Sequence, residues 1–172
     1  MNDEHVAHTK PFVRGDLYND IYISINTAKL LKELNFNISV DLSVTEYTEE
    51  RVHEEDGTSG PFGWEKGELE YSSGHFRNGS ESDYSNESYT SYALPTQSVL
   101  QSWLREVHGI RVWVTPSQFS SAPNDWTHNV LIYRNGKLIC HVEDGGEIGT
   151  PFEYALEEGL QIGLEQLKNL ID

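Results

Sequence analysis

The chain has 172 residues, of which 28 are acidic and 12 are basic, and its formal net charge is −16 at pH 7. This length suits one domain or a domain with a long insertion, and the composition supplies enough apolar residues for a core. The excess of acids repels nucleic-acid phosphates and anionic membranes and favours a basic partner. The single cysteine, Cys140, excludes an intramolecular disulfide framework and a zinc site built from several cysteines.

The N-terminal residues 1–20 are predicted to form a tail. They begin MNDEHVAHTK, a polar stretch without the apolar core of a secretory signal. No apolar run in the chain approaches the roughly 18 residues that a membrane-spanning helix needs. We therefore expect a cytoplasmic protein.

Residues 21–42 are predicted to open the fold with a strand, a helix and a second strand. Three leucines share one face of the helix, which is expected near Asn26–Leu34. The segment FNISVDLSV then alternates strictly between apolar and polar residues from Phe36 to Val44, which is typical of a half-buried strand. A partner strand near Glu68–Phe76 would complete a hairpin.

Residues 43–92 are predicted to be an acidic insertion rich in serine and tyrosine. Residues 41–90 hold thirteen acids and three bases, and EYTEERVHEEDG alone places six carboxylates in twelve positions. Blocks of like charge are usually solvated faces, but aromatic side chains among these acids are suited to anchoring an interface. The predicted partner-binding residues are Glu46, Tyr47, Glu49, Glu50, Glu54, Glu55, Asp56, Trp64 and Tyr71.

The same stretch does not predict a metal site. HEEDG, at residues 53–57, begins like the helix of a zinc protease but has glycine where the second histidine must stand. It also lacks the alternating ligands of a calcium loop. The sequence contains no phosphate-binding loop and no dinucleotide fingerprint. We expect no metal, no cofactor and no catalytic residue.

Residues 93–172 are predicted to follow the order α-β-β-β-α. A helix over PTQSVLQSWLREVHG leads into the strand IRVWV, and Thr150-Pro151 opens a final helix. Gly159 and Gly163 are expected to let that helix lie close to the sheet. The predicted fold is α+β with a mostly antiparallel sheet, and residues 1–172 are predicted to form a single domain. In this fold, an α-β-hairpin segment that carries the acidic insertion precedes the α-β-β-β-α half.

The dipeptide Asn135-Gly136 predicts a hairpin between the second and third strands of this half. A regular ladder beyond a two-residue turn would pair Leu131 with Cys140 and His128 with Glu143. Adjacent side chains of a strand point to opposite faces, so Cys140 and its neighbour His141 are not expected to form a catalytic dyad.

The order α-β-β-β-α is also that of double-stranded-RNA-binding domains, which need basic residues at the start of the last helix. Here that turn is the acidic PFEYALEEG. Its charge has the wrong sign for phosphate, so we do not expect direct RNA binding through this face.

Three segments of the sequence are similar to a known group of proteins. They are PTQSVLQSWLREVHGIRVWV, TPFEYALEEGLQIGLEQLKNLI and the early IYISINTAKLLKELNFN. They resemble the ends and the opening of a group of small, uncharacterised phage and prophage accessory proteins of Bacteroidetes. The match covers roughly residues 21–42 and 93–172. That family has no assigned function to carry over, and its matching positions are better explained as fold determinants than as a site. The chain departs from the group at the acidic insertion, which suggests that the insertion carries the protein's particular task.

The resemblance and the charge together lead us to expect a phage- or prophage-encoded inhibitor of bacterial defence, of the anti-CRISPR type, acting in the host cytoplasm. It would bind a basic nucleic-acid-handling effector stoichiometrically through its acidic surface, as a nucleic-acid mimic. An RNA-guided CRISPR nuclease, or its guide-RNA complex, is the most natural target, and no membrane partner is expected. Two alternatives stay open: a non-enzymatic accessory or assembly protein acting through self-association or host-protein binding, and a small hydrolase using Arg105, Glu106 and His108.

Overall fold

The computed structural model describes residues 22–48, 51–52, 63–64, 66–79, 85, 88–118, 126–145 and 151–171, with the backbone alone described at 51–52, 63–64 and 144–145. The elements in chain order are α1 (Ile25–Glu33), β1 (Val40–Tyr47), β2 (Arg51–Val52), β3 (Gly63–Trp64), β4 (Leu69–Phe76), β5 (Tyr89–Ala93), α2 (Gln97–His108), β6 (Ile110–Gln118), β7 (Trp126–Arg134), β8 (Lys137–Gly145) and α3 (Phe152–Ile171). All sheet pairs are antiparallel. The predicted α+β class is therefore confirmed.

The chain divides into two compact units. One is continuous, Ala28–Pro95, and is called the inserted unit below; the other combines Met1–Thr27 with Thr96–Asp172 and is called the discontinuous unit. The predicted single domain with its internal boundaries stays a prediction. Among the described helices, none has the length and apolar character that a transmembrane span requires.

The inserted unit contains a three-stranded sheet in the order β4-β1-β5 and a short β2-β3 ladder. The predicted partner strand near Glu68–Phe76 is present as β4. The predicted strand from Phe36 to Val44 is only partly right, because β1 begins at Val40 and continues to Tyr47. Asn35 adopts a left-handed conformation (φ 56°) after α1, and the next residues lie outside the ladder. Phe36 is nevertheless fully buried, so it serves the core without being part of the strand.

The strand β5 was not predicted, since it lies within the polar, tyrosine-rich segment. Its backbone polar groups are satisfied by partners distant in sequence. Ala93 N–H donates to Asn78 Oδ1 at 3.0 Å, and Lys32 Nζ donates to the Ser91 carbonyl at 2.9 Å. These contacts fix one edge of the sheet with side chains from a turn and from α1.

The discontinuous unit has the predicted α-β-β-β-α order, with sheet order β6-β7-β8. The Thr96 hydroxyl caps α2 by accepting from the Val99 N–H at 3.3 Å, and Gly109 ends the helix at φ 66°. Both α2 and α3 contact β6. A Cβ added to Gly159 would lie 2.7 Å from Val112 Cγ1 and Val130 Cγ1, so α3 approaches the sheet as closely as predicted.

A polar cluster ties the start of α1 to α3 within the discontinuous unit. Glu157 accepts hydrogen bonds from the Ser24 N–H at 2.8 Å, the Thr27 hydroxyl at 2.5 Å and Gln97 Nε2 at 3.3 Å. Thr27 is fully buried and Gln97 is 6% exposed. The carboxylate therefore satisfies donors that burial would otherwise make costly.

The β7–β8 hairpin confirms the predicted turn but not the register beyond it. Asn135 and Gly136 both have positive φ, and Arg134 faces Lys137. The predicted Leu131–Cys140 and His128–Glu143 pairs are wrong: Cys140 faces Ile132, and His128 faces Gly145. The cause is a pair of register shifts, one between Ile132 and Tyr133 and one between His128 and Val130.

Candidate partner-binding surface

Nine residues were predicted to bind a partner, and the structure describes the side chains of three of them: Glu46, Tyr47 and Tyr71. Trp64 is described by its backbone in β3, where it pairs with Arg51. The other predicted residues lie outside the described part of the chain: Glu49, Glu50, Glu54, Glu55 and Asp56.

The described residues of the predicted surface lie on two faces of the inserted unit's sheet. Glu46 and Tyr47 are neighbours in β1, and successive side chains of a strand point to opposite faces. Tyr71 pairs with Val44 and therefore shares the face of Glu46. Glu70 pairs with Thr45 and shares the face of Tyr47. The three described residues of the predicted surface are thus divided between two faces.

On the Tyr47 face, two tyrosines and two carboxylates meet at one end of the sheet. We call Tyr47, Glu68, Glu70 and Tyr89 the acidic tyrosine cluster. The Tyr47 hydroxyl donates to Glu70 Oε2 at 2.6 Å, and the rings of Tyr47 and Tyr89 meet edge to face with centroids 6.1 Å apart. Both glutamates are exposed. The cluster therefore combines negative charge with partly accessible aromatic rings.

The backbone holds this cluster in register. Tyr47 N–H donates to the Glu68 carbonyl at 3.1 Å, and Gly67 N–H donates to the Tyr47 carbonyl at 2.8 Å. Gly67 has φ 86°, a left-handed conformation that glycine adopts without a Cβ clash. The turn that enters β4 thus fixes Glu68 beside Tyr47.

The electrostatics of the cluster keep Tyr47 protonated. The hydrogen bond to the Glu70 carboxylate, followed by burial and by the negative charges of Glu70 and Glu68, raises the pKa of Tyr47 from 10.0 to about 12. The phenol is therefore a neutral donor at physiological pH, and the charge of the cluster comes from its two glutamates.

On the opposite face, the charge of Glu46 is already compensated. Lys29 Nζ lies 2.8 Å from Glu46 Oε1, and the Tyr92 hydroxyl donates to Glu46 Oε2 at 3.3 Å. Lys29 and Lys32 also lie 6.0 and 5.7 Å from the centre of the Tyr92 ring. Burial, followed by the charge of Glu46, raises the pKa of Tyr92. Glu46 is therefore better placed to join α1 to the sheet than to bind a basic partner. The side chain of Tyr71 on the same face is 42% exposed and is accessible to a partner.

The predicted set did not include six residues of these networks: Glu68, Glu70, Tyr89, Lys29, Lys32 and Tyr92. Continuing the period-two alternation through Tyr47 separates Glu46 from Tyr47, but the contact of Tyr47 with Glu70 depends on the register between β1 and β4. No local pattern indicates that Lys29 meets Glu46, since that contact depends on how α1 lies on the sheet.

The three residues of the hydrolase alternative do not form a catalytic arrangement. Arg105 Nη2 lies 3.0 Å from Glu106 Oε1 in an exposed pair on α2. His108 instead contacts Trp103, with ring centroids 4.4 Å apart. Burial, followed by the positive charge of Arg134, lowers the pKa of His108. No bond links His108 to Glu106 among the described residues.

Within the part of the chain that the structure describes, no group of three or more histidine, cysteine, aspartate or glutamate side chains is arranged to hold a metal. No family model, no curated protein and no solved structure matches this chain.

Proposed function

We propose that this chain is a non-catalytic binding protein, encoded by a phage or prophage, that inhibits a bacterial defence effector of the anti-CRISPR type. The observation that carries the proposal is the acidic tyrosine cluster, where exposed Glu68 and Glu70 flank two packed tyrosine rings. Tyrosines that bury apolar area beside charged groups are typical of protein-binding hot spots. The partner of such a surface is a basic protein.

Charge supports the choice of a nucleic-acid-handling partner. Residues 41–90 contribute ten of the sixteen net negative charges of the chain. A surface of this sign is complementary to a channel that holds nucleic-acid phosphates, and complementary charge accelerates encounter. The resemblance of the sequence to Bacteroidetes phage proteins favours a bacterial defence effector, and an RNA-guided nuclease or its guide-RNA complex has the required chemistry.

The test begins with capture of partners from a Bacteroidetes host lysate at low and high salt. The captured effector is then purified, and its cleavage of target DNA is measured against increasing amounts of the chain. Stoichiometric binding predicts that inhibition is complete near equimolar amounts. The inhibitory potency should fall as salt rises, because screening weakens the attraction.

The decisive variant reverses Glu68 and Glu70 to lysine. Its control reverses Glu158 and Glu165, exposed residues of α3, and changes the net charge equally. We expect the cluster variant to lose inhibition and the control to retain most of it. Reversal of Glu46 is less informative, because it would place a third cation beside Lys29 and Lys32 and disturb the fold. Equal inhibition by the two double variants would show that the cluster is not the binding surface.

Exposed apolar residues on the β6-β7-β8 sheet and on α3 favour one other function, that of an accessory or assembly protein that self-associates. Leu138 on β8 and Leu170 near the end of α3 are 50% and 51% exposed. Light scattering across a range of concentrations distinguishes the two functions. A mass that rises with concentration supports assembly, and a constant monomer mass opposes it.

A further inference from the structure

One region of this acidic chain is locally basic. Residues 97–118 and 126–145, which form α2 and the strands β6 to β8, carry a net charge of +1, whereas the whole chain carries −16. The contributing residues are Arg105, Arg111, Arg134 and Lys137, against Glu106, Glu143 and Asp144.

Two of these arginines line a groove at the edge of the β6-β7-β8 sheet. The groove has a volume of about 260 Å³ and is bordered by Gln101, Arg105, Arg111, Val112 and Trp113. Gln101 Nε2 donates to the Val112 carbonyl at 2.9 Å, which joins α2 to the edge strand β6 beside the groove. That bond also occupies a carbonyl that would otherwise be available to another strand.

Trp113 gives the groove an accessible aromatic wall. Val112 and Val130 face α3, so Trp113, next to Val112 in β6, lies on the face of the sheet that points away from that helix. The indole is 55% exposed, and the Tyr133 ring lies 5.9 Å away at an angle of 57°. The indole therefore has the Tyr133 ring as a neighbour and keeps more than half of its surface exposed.

The two guanidinium groups supply donors for an anion. Arg105 uses Nη2 to contact Glu106 at 3.0 Å and Ser102 at 3.3 Å, and a guanidinium has five N–H donors in total. Arg111 is exposed and forms no ion pair with any described residue. Planar guanidinium groups bind phosphate and carboxylate oxygens in a two-pronged manner and stack on rings.

We infer that this groove binds a small planar aromatic anion, with a nucleoside monophosphate as the representative ligand. The base would stack on Trp113, and the phosphate would be held by Arg111 and Arg105. A free nucleotide meets less repulsion than a strand, because a chain of charge −16 repels a long polyanion, whereas the charge of distant acids is screened beyond about 8 Å at physiological salt. The same chemistry is offered by a free nucleotide and by the 5′-phosphorylated end of a strand.

Calorimetric titration of the full chain with matched probes tests this inference. The probes are adenosine monophosphate, adenosine, inorganic phosphate, a 5′-phosphorylated oligonucleotide of eight adenosines and an acidic pentapeptide containing tyrosine. We expect adenosine monophosphate to bind at least tenfold more tightly than adenosine or phosphate, because base stacking and ion pairing both contribute. Tighter binding of the oligonucleotide than of the mononucleotide would identify a strand end as the source, and the reverse would identify a free nucleotide.

The variants Trp113→Leu and Arg111→Gln should each weaken binding of adenosine monophosphate about tenfold. Their matched controls are Trp126→Leu and Arg77→Gln, which replace other exposed residues of the same types outside the groove. Trp126 pairs with Gln118, five residue pairs along the ladder from Trp113 and Leu131. Unchanged circular dichroism and thermal midpoints would show that each variant is folded.

Several results would overturn the inference. They are equal affinity for adenosine monophosphate and inorganic phosphate, equal affinity for adenosine monophosphate and adenosine, preference for the acidic peptide, and no binding by any probe. A loss of affinity in the controls as large as in the groove variants would also overturn it. The variants leave the acidic tyrosine cluster unchanged, so failure here is separable from failure of the proposed inhibition.

Discussion

The hydroxyl of Thr27 donates to the carboxylate of Glu157 at 2.5 Å, although 130 residues separate the two in sequence. Thr27 is fully buried, so its hydroxyl has no access to water. The same carboxylate oxygen accepts from the Ser24 N–H, which places two donors of the α1 start on one acceptor. One side chain of α3 thus connects the start of α1 to the C-terminal part of the discontinuous unit.

Replacing Glu157 by alanine should lower the free energy of unfolding by about 1–3 kcal/mol, because it leaves buried donors without an acceptor. The measurement is urea-induced unfolding followed by circular dichroism. Glu158→Ala, at the exposed neighbouring position, serves as the control and should change stability by less than about 0.5 kcal/mol. Similar losses in both variants would mean that the Glu157 hydrogen bonds contribute little.

Gly159→Ala should be destabilising by about 1–3 kcal/mol, because the new methyl would lie 2.7 Å from two valine methyls of the sheet. Gly163→Ala meets Val112 Cγ2 at 3.3 Å, a smaller overlap. The higher helix propensity of alanine, worth roughly 1 kcal/mol, should offset most of that strain. Thermal unfolding of both variants checks the contrast, and a more stable Gly159→Ala protein would contradict the close approach of α3.

Tyr47 should be among the last tyrosines to ionise. Its pKa is raised from 10.0 to about 12, so its contribution to stability is present below pH 10 and is lost as the pH rises through about 12. Ultraviolet titration of the phenols should show that Tyr47→Phe removes absorbance change mainly from the upper end of the curve. Glu70→Gln should move the Tyr47 ionisation back toward pH 10, since it removes the accepting carboxylate.

His108 should make the protein less stable in mild acid. Its pKa is lowered from 6.5 by burial and by the charge of Arg134, so its contribution is complete above pH 6.5 and is lost as the pH falls through the folded-state pKa. Thermal midpoints measured between pH 7.5 and pH 5 should fall less steeply in His108→Gln than in the parent. An equally steep fall in His108→Gln and in the parent would contradict this role of His108.

Local signals in the sequence predicted those parts of the fold that local chemistry determines. Thr96 and Gly109 mark the ends of α2 because a hydroxyl cap and a left-handed glycine act within one helical turn. Asn135-Gly136 predicted the hairpin because few other residue pairs accept two consecutive positive φ angles.

Features of the fold that depend on contacts between residues far apart in sequence had no local signal from which to predict them. The strand β5 pairs with β1 from within a polar segment, and Asn78 and Lys32 satisfy its backbone from elsewhere in the chain. The register shift between Ile132 and Tyr133 moves Cys140 to a different partner. No glycine or proline stands at that position, so the sequence gives no local signal of the shift.

The candidate surface was predictable in composition but not in geometry. Acids and tyrosines are visibly concentrated in residues 41–90, yet the ion pair of Glu46 with Lys29 depends on the placement of α1. Extending the predicted strand by three residues, from Val44 to Tyr47, would have separated Glu46 and Tyr47 onto opposite faces.

The division of the chain also sets an order of events during synthesis. The inserted unit ends at Pro95, whereas the discontinuous unit needs residues from both sides of that segment. A ribosome therefore delivers every residue of the inserted unit before it has made α3, whose Glu157 holds the start of α1. The start of α1 can therefore form its hydrogen bonds to Glu157 only after α3 has been synthesised. A nascent chain halted after Pro95 should consequently resist protease within β1, β4 and β5, while the start of α1, Ser24–Thr27, remains open to cleavage.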